Sequence, residues 1–434
     1  MKRMSASITI VLCILLQAAG QAFADGYDYA IDDALAATVV GTPPDQAANF
    51  DMPAPIKEKT LSVFPKKTYP DVFWYTEQLR YGLALQRHSA PLAFIIAGTG
   101  ADHNTTKMIL LANALYQAGA HVVTLPSPTH NNFIISASMH AVAGRNSDDV
   151  QDLYRVMQLI SDQIGDRAEI DGYYLTGYSM GGFHAAFLAA HDAEAGAFGF
   201  DRVLMLNPPV SLFESALKLD AMLAEAIPGD LETFDTFFDD FMRDLADFYV
   251  RADNVELTGD DLYRLYEARE GETDPNRLKA LIGLAFRLSG INMLFAADVM
   301  NDFGYIVPKG SQLGVTSGLT EYFKVGARIK FEEYIEDVLI PLVKARDPDA
   351  TRSALIDEAN LRSIEGFMRA TPTISLIHNV DDIILKEGDI AWFEDVFGGR
   401  SKIYPNGGHL GNVYHRAVVD RIVEYFRTAT GAGS

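Results

Sequence analysis

The 434-residue chain has a single cysteine, Cys13, which excludes both a disulfide framework and a thiolate metal site. Positive charge is also scarce: 36 Lys and Arg face 58 Asp and Glu, for a formal net charge of −22. Nucleic-acid binding needs clustered basic side chains to meet phosphate, so no nucleic-acid partner is expected. Neither G-x-x-x-x-G-K-[ST] nor G-x-G-x-x-G occurs, so no Gly-rich phosphate cradle is present. Internal repeats and low-complexity tracts are missing, which argues against a solenoid or a disordered chain. The histidines offer no metal site either. His103, His130 and His140 could line a pocket, but none stands at metal-ligand spacing from a second His or a carboxylate. His184 reads as a packed helix residue. No metal and no cofactor is called for.

What the sequence does have is a composition of 48% hydrophobic and 22% charged residues, enough for a large core. The length exceeds one typical domain of about 100–200 residues, leaving two domains or one domain with a large insertion. The N-terminus carries Lys2 and Arg3, an apolar run from Ile8 to Leu16, and the small-x-small pattern Ala22-Phe23-Ala24. These are the three parts of a secretory signal, and the run is shorter than the roughly 20 residues a membrane span requires. Residues 1–24 are therefore expected to be a removable signal peptide, and the protein to be exported, periplasmic or secreted. Cleavage would remove Cys13 as well, leaving no integral membrane span and a cysteine-free chain suited to an oxidising compartment.

The mature chain divides by texture. Residues 25–58 are polar, without clear periodicity, and read as an irregular leader. Leu61–Val63 and Val72–Leu85 read as β-strands. From Leu92 short apolar runs alternate with helical patterns. Leu92–Ala97, His121–Leu125, Tyr173–Thr176 and Arg202–Leu206 read as buried strands, with helices at Thr105–Gln117, Asp148–Ile164 and after Ser179. That rhythm predicts an α/β fold with a mostly parallel sheet and helices on both faces. From residue 214 to 370 no convincing strand run occurs. The patterns there are helical, including a stripe of Leu231, Phe234, Phe237, Phe238, Phe241, Leu245 and Phe248. This stretch holds 30 acidic and 17 basic residues, which would disfavour anionic substrates and membrane surfaces but suits a solvated face equally well. Its aromatic stripe suits the stretch's own core, or the apolar wall of a binding site. Strand rhythm returns at Thr373–Ile377 and Lys402–Tyr404, so one sheet-forming unit, 59–213 with 371–434, is interrupted by a helical insertion at 214–370.

Three short segments carry chemistry. Gly177-Tyr178-Ser179-Met180-Gly181 lies between an apolar strand and a helix pattern, where a tight turn lifts a Ser hydroxyl clear of the sheet and Cβ atoms at the flanking positions would clash. His378-Asn379-Val380-Asp381-Asp382 follows a strand and supplies carboxylates about 200 residues later. An ordinary turn would use Asn and Asp in the same way. Asn406-Gly407-Gly408-His409-Leu410-Gly411 places a histidine in a Gly-rich loop after the last strand.

Ser179, then an aspartate, then His409, each at the end of a strand, resembles the Ser…Asp…His order of the α/β-hydrolase superfamily. The resemblance covers roughly Leu61–Val210 and Thr373–Arg427. It implies Ser179 as nucleophile, His409 as base and then acid, and an aspartate fixing the histidine tautomer. Family spacing favours Asp382, with Asp381 as the alternative. It also implies an oxyanion hole from the backbone N–H groups of Met180 and of Thr99, in Ala97-Gly98-Thr99-Gly100, where the family often begins with His-Gly. The insertion falls where family members carry a lid. The expected activity is that of a serine hydrolase working through an acyl-enzyme on a small-molecule ester or acyl substrate, most readily a carboxylic ester. Peptidase and thioesterase chemistry stay open, since fold and triad do not choose the substrate. A non-catalytic binding protein on the same scaffold, or an interaction module built on the acidic insertion, are the readings from other classes.

Overall fold

A computed structural model describes residues 26–227 and 274–427, together with Thr236, Phe237, Asp239 and Arg243. Eight strands form one sheet: β1 (Lys57–Leu61), β2 (Leu79–Ala84), β3 (Ala90–Ile96), β4 (His121–Leu125), β5 (Ile170–Tyr178), β6 (Arg202–Leu206), β7 (Ile374–Asn379) and β8 (Ser401–Tyr404). Their spatial order is β1-β2-β4-β3-β5-β6-β7-β8. β2 runs antiparallel to β1 and β4, and every other pairing is parallel. β3 and β4 are buried along their whole length, as the continuous apolar runs require of strands covered on both faces.

The helices that matter for the site are α1 (Ala34–Val40), α2 (Thr106–Gln117), α3 (Asn131–Ser136), α4 (Asn146–Ile164), α5 (Met180–Ala195), α6 (Leu212–Ala226), α7 (Pro275–Asn301), α8 (Thr320–Arg328), α9 (Asp389–Phe397) and α10 (Arg416–Phe426). The side chains of α4, α5 and α9 fill the core on one face of the sheet, around Phe94, Leu175 and Met205. α2 and α10 fill the other, around Ile95, Tyr174 and Leu206. The architecture is thus an α/β sheet with helices on both faces.

Between β6 and β7 the described residues form helices and no strand, and their apolar core is shared with Val72, Phe73, Ile134 and Ile135. Met293, Leu294, Phe295, Ala296 and Ala297 of α7 pack with Tyr334, Val338, Leu339 and Val343 from the stretch that follows α8. A buried ion pair fixes the arrangement. Arg287 of α7 donates to Asp220 of α6 from Nε at 2.8 Å and Nη2 at 2.5 Å, and to the Ala327 carbonyl of α8 at 2.8 Å. α7 is the one described helix long and apolar enough to cross a membrane, and 72% of its apolar window is buried inside the protein. Of the aromatic stripe, Phe237 packs beside Leu223, Leu284 and Leu288. Leu231, Phe234, Phe238, Phe241, Leu245 and Phe248 lie outside the described residues, as does the segment read as a signal peptide.

Three local readings differ from the structure. The strand expected at Leu61–Val63 is β1 at Lys57–Leu61, so the sheet begins within the last residues of the stretch 25–58. Within Val72–Leu85 only β2 is a strand. Pro70 opens a 3-10 turn, and Val72 and Phe73 are buried among side chains of the helices between β6 and β7, so their β-forming side chains serve that packing instead. The stretch 25–58 holds a helix, α1, capped by the Asp33 carboxylate, which accepts from the Ala36 N–H at 2.7 Å. Seven residues are too few to show a helical period.

Candidate active site

The Ser179 turn comes from close packing of backbones. Ser179 itself has φ 54° and ψ −123°, a strained conformation for a residue with a side chain. A Cβ at Gly177 would stand 2.4 Å from the Gly181 carbonyl, and one at Gly181 would stand 2.1 Å from the Ile96 oxygen. The two glycines therefore let α5 start directly against β5 and β3, and the sharp turn between them projects the serine beyond the sheet.

His409 Nε2 lies 2.9 Å from Ser179 Oγ, and His409 Nδ1 lies 3.0 Å from Asp382 Oδ2. Asp382 is wholly buried in its side chain yet well supplied with donors. Asn207 Nδ2 donates to Oδ2 at 2.9 Å and the Ile384 N–H to Oδ1 at 3.1 Å. Burial pushes its pKa up, but the charge and hydrogen bond of His409, the charge of His378 and the Asn207 hydrogen bond outweigh it, and the net shift is downward. An ionised carboxylate only accepts, so Nδ1 of His409 carries the proton and Nε2 turns its lone pair toward the serine. Asp381 faces elsewhere. Its carboxylate accepts from the N–H groups of Gly407 at 3.1 Å and Gly408 at 2.9 Å, and so shapes the histidine loop from below.

Met180 is the first residue of α5, where helix N–H groups have no partner inside the helix. Thr99 stands opposite it, with Oγ1 donating to Met180 Sδ at 3.7 Å. In the loop after β3, the N–H groups of Ala97, Gly100 and Ala101 are committed to Leu125 O, Thr129 Oγ1 and Gly98 O, at 3.1, 2.8 and 3.0 Å.

Two cavities meet at Ser179, with Thr99, Leu219, Phe286 and Ser289 lining both. The inner one, about 90 Å³, is walled by apolar side chains including Leu212, Ala216, Met293, Phe331 and Ile384, and it reaches Met180. The outer one, about 130 Å³, is lined by His409 together with Thr38, Thr105 and Lys107. Most of the apolar wall comes from α6, α7 and the segment after α8.

Four other histidines have structural surroundings. His103 Nδ1 is 2.7 Å from Asp102 Oδ1 and His130 Nδ1 is 3.9 Å from it, in a buried cluster beside the β3 loop. Among the described residues no group of three or more His, Cys, Asp or Glu could hold a metal ion. His184 is completely buried in α5, and neither of its ring nitrogens has a hydrogen-bond partner. His378 Nδ1 accepts from the Asn379 N–H at 2.9 Å, and Nε2 therefore donates to the Pro208 carbonyl at 3.0 Å.

Sequence reasoning missed three contributors. Asn207 was legible only as a turn residue in Asn207-Pro208-Pro209, and its φ of +46° is the turn feature that aims its amide at Asp382. Asn379 donates to the Gly408 carbonyl at 2.8 Å and to Asn412 Oδ1 at 2.9 Å. Thr38, in the stretch read as irregular, accepts from the His409 N–H at 2.9 Å. No local signal ties a residue of the leader to a loop 371 positions away.

No protein-family model matches the chain. No curated protein sequence matches it. Among solved structures the chain is similar to a hyperthermophilic esterase from the archaeon Pyrobaculum calidifontis, at 13% identity over 86% of this chain and 85% of that one, with a TM-score of 0.39. It is similar to a thermostable esterase from Pseudomonas putida, at 14% identity over 90% and 87% of the two chains, TM-score 0.42. It is also similar to an esterase from Pyrococcus furiosus, at 10% identity over 87% and 92%, TM-score 0.39.

Proposed function

We propose that this protein is a serine hydrolase that cleaves small carboxylic esters through an acyl-enzyme. The observation that carries the reading is the unbroken relay from Ser179 Oγ through His409 to buried Asp382, at 2.9 and 3.0 Å. Ser179 attacks the ester carbonyl while His409 Nε2 takes its proton, and Asp382 stabilises the resulting imidazolium. The N–H groups of Met180 and Thr99 receive the oxyanion. One such donor is worth about 3–4 kcal/mol in the transition state. Collapse of the tetrahedral intermediate breaks the bond to the alcohol, which takes the proton from His409. Water then attacks the acyl-enzyme with the same histidine as base.

The orientation of the ester follows from which cavity holds the acid. His409 must protonate the leaving oxygen, so the alcohol portion belongs in the outer cavity that His409 lines. The acyl portion then occupies the inner, apolar cavity beside Met180. A walled space of about 90 Å³ suits a short to medium acyl chain rather than a long one. Export on the strength of residues 1–24 belongs to the same proposal, and N-terminal sequencing of protein recovered outside the cytoplasm, beginning at Asp25, is its test.

The activity is tested by labelling with a fluorophosphonate and by assaying nitrophenyl esters of graded acyl length, with Ser179→Ala as control. Labelling and turnover that both vanish in Ser179→Ala are expected, with a rate maximum at short to medium chains. Wild-type protein that neither labels nor turns over any ester would overturn the proposal.

A further inference from the structure

The loop bearing His409 is under backbone strain. Gly407, Gly408 and Leu410 all have positive φ, at +139°, +53° and +66°. Leu410, immediately after the histidine, carries a side chain in that conformation, which persists only where the surroundings hold it. On one side the support is Asp381. On the other it is α1. A Cβ at Gly408 would lie 2.3 Å from the Ala34 oxygen, and one at Gly411 would lie 2.0 Å from the Ala37 oxygen. Both glycines are thus contact points for the α1 backbone. Thr38 completes the contact, donating to the Ala34 carbonyl at 2.7 Å and accepting from the His409 N–H at 2.9 Å. Tyr27 Oη donates to the Asn406 carbonyl at 2.5 Å, and Thr42 Oγ1 donates to the Gly411 carbonyl at 2.8 Å. The other face of α1 buries Ala36 and Val39 against Met222, Leu278 and Ile282 of the helical insertion.

We propose that α1 belongs to the active-site machinery and that Thr38 is a positioning residue. By holding the backbone N–H of His409, it sets Nε2 at the Ser179 hydroxyl and Nδ1 at Asp382. The inference rests on the serine-hydrolase reading for its consequence in turnover, but not for the geometry it describes. Misplacing a reacting group by about 1 Å can cost on the order of 100-fold in rate, so the loss of one loop anchor should fall on kcat.

The test uses the full mature chain with Thr38→Val, which keeps the shape and removes the acceptor, and Thr38→Ser, which keeps the acceptor. Thr38→Ala serves in place of valine if that variant does not fold. Two readouts are taken: kcat and KM on a nitrophenyl ester, and the low-field proton resonance of the His409–Asp382 hydrogen bond. The expected result for Thr38→Val is a fall in kcat of about 10- to 100-fold, KM within about twofold, and a shifted or lost resonance. Thr38→Ser should keep kcat within about threefold of wild type and retain the resonance. Unchanged kcat and resonance in Thr38→Val, equal impairment in both variants, or a change confined to KM would each overturn the assignment. If the wild type turns over no ester while the resonance responds to valine and not to serine, the hydrolase reading falls and the positioning role stands.

Discussion

His184 offers a test in which the magnitude follows from a single group. It lies one turn into α5, fully buried, with no partner for either nitrogen. Burial alone pushes its pKa down to about 3 from an ordinary 6.5. Between those values the unfolded chain binds a proton that the folded protein refuses, so stability rises with pH through the window and is lost as pH falls below about 6.5. The loss amounts to about 1.4 kcal/mol per pH unit, which puts the cost at pH 5, relative to pH 7, at about 2 kcal/mol. His184→Leu has no such proton to refuse and also removes two unsatisfied buried nitrogens. It should therefore match or exceed wild type at pH 7, by about 1 kcal/mol, and the gap should widen by about 2 kcal/mol at pH 5. Denaturant unfolding of both proteins at the two pH values measures the gap directly, because titration of every other group cancels in the difference. A gap that stays constant from pH 7 to pH 5 refutes the reasoning, since it would mean His184 titrates alike in both states.

Four further outcomes are expected. Asp382→Asn should lower kcat by about 10⁴, by stabilising the wrong histidine tautomer, while Asp381→Asn should lose less than about tenfold and register mainly as a lower melting temperature; steady-state kinetics and thermal unfolding of both variants decide. Gly181→Ala would place its Cβ 2.1 Å from the Ile96 oxygen, so the start of α5 must shift, and the variant should lose fluorophosphonate labelling and about 1–3 kcal/mol of stability in denaturant titration. Arg287→Ala leaves Asp220 buried and unpaired, and chemical unfolding should show a loss of about 3–5 kcal/mol. Met293→Ala, at the inner cavity wall, should move the optimum in an acyl-length series toward longer chains with little change in activity on acetate esters.

Much of the sheet was legible because its central strands are buried on both faces. Leu92–Ala97 and His121–Leu125 read as short buried runs, and they fall on β3 (Ala90–Ile96) and β4 (His121–Leu125). Ser179 was legible for a related reason: the glycines around it answer to backbone atoms of β3, so the constraint is written in adjacent positions. What the sequence withheld is whatever depends on distant partners. Asp381 and Asp382 are neighbours in one turn; the resemblance favoured Asp382 for the contact with His409, but the contact of Asp381 with the loop beneath had no signal in the sequence. Val72 and Phe73 look like strand residues because the same side chains suit a sheet and a helical insertion. Thr38 had no local pattern at all, since its role is defined by an N–H group at the opposite end of the chain.

That separation has a kinetic side. Thr38 meets His409 across 371 residues, and Tyr27 meets Asn412 across 385. Contacts of such length close late, because the loop entropy must be spent before they give anything back. During synthesis β3 through β6 can pair in order, but the histidine loop cannot take its shape until its own strand is in the sheet and α1 has returned to meet it. The contact between Ser179 and His409 would be among the last to assemble.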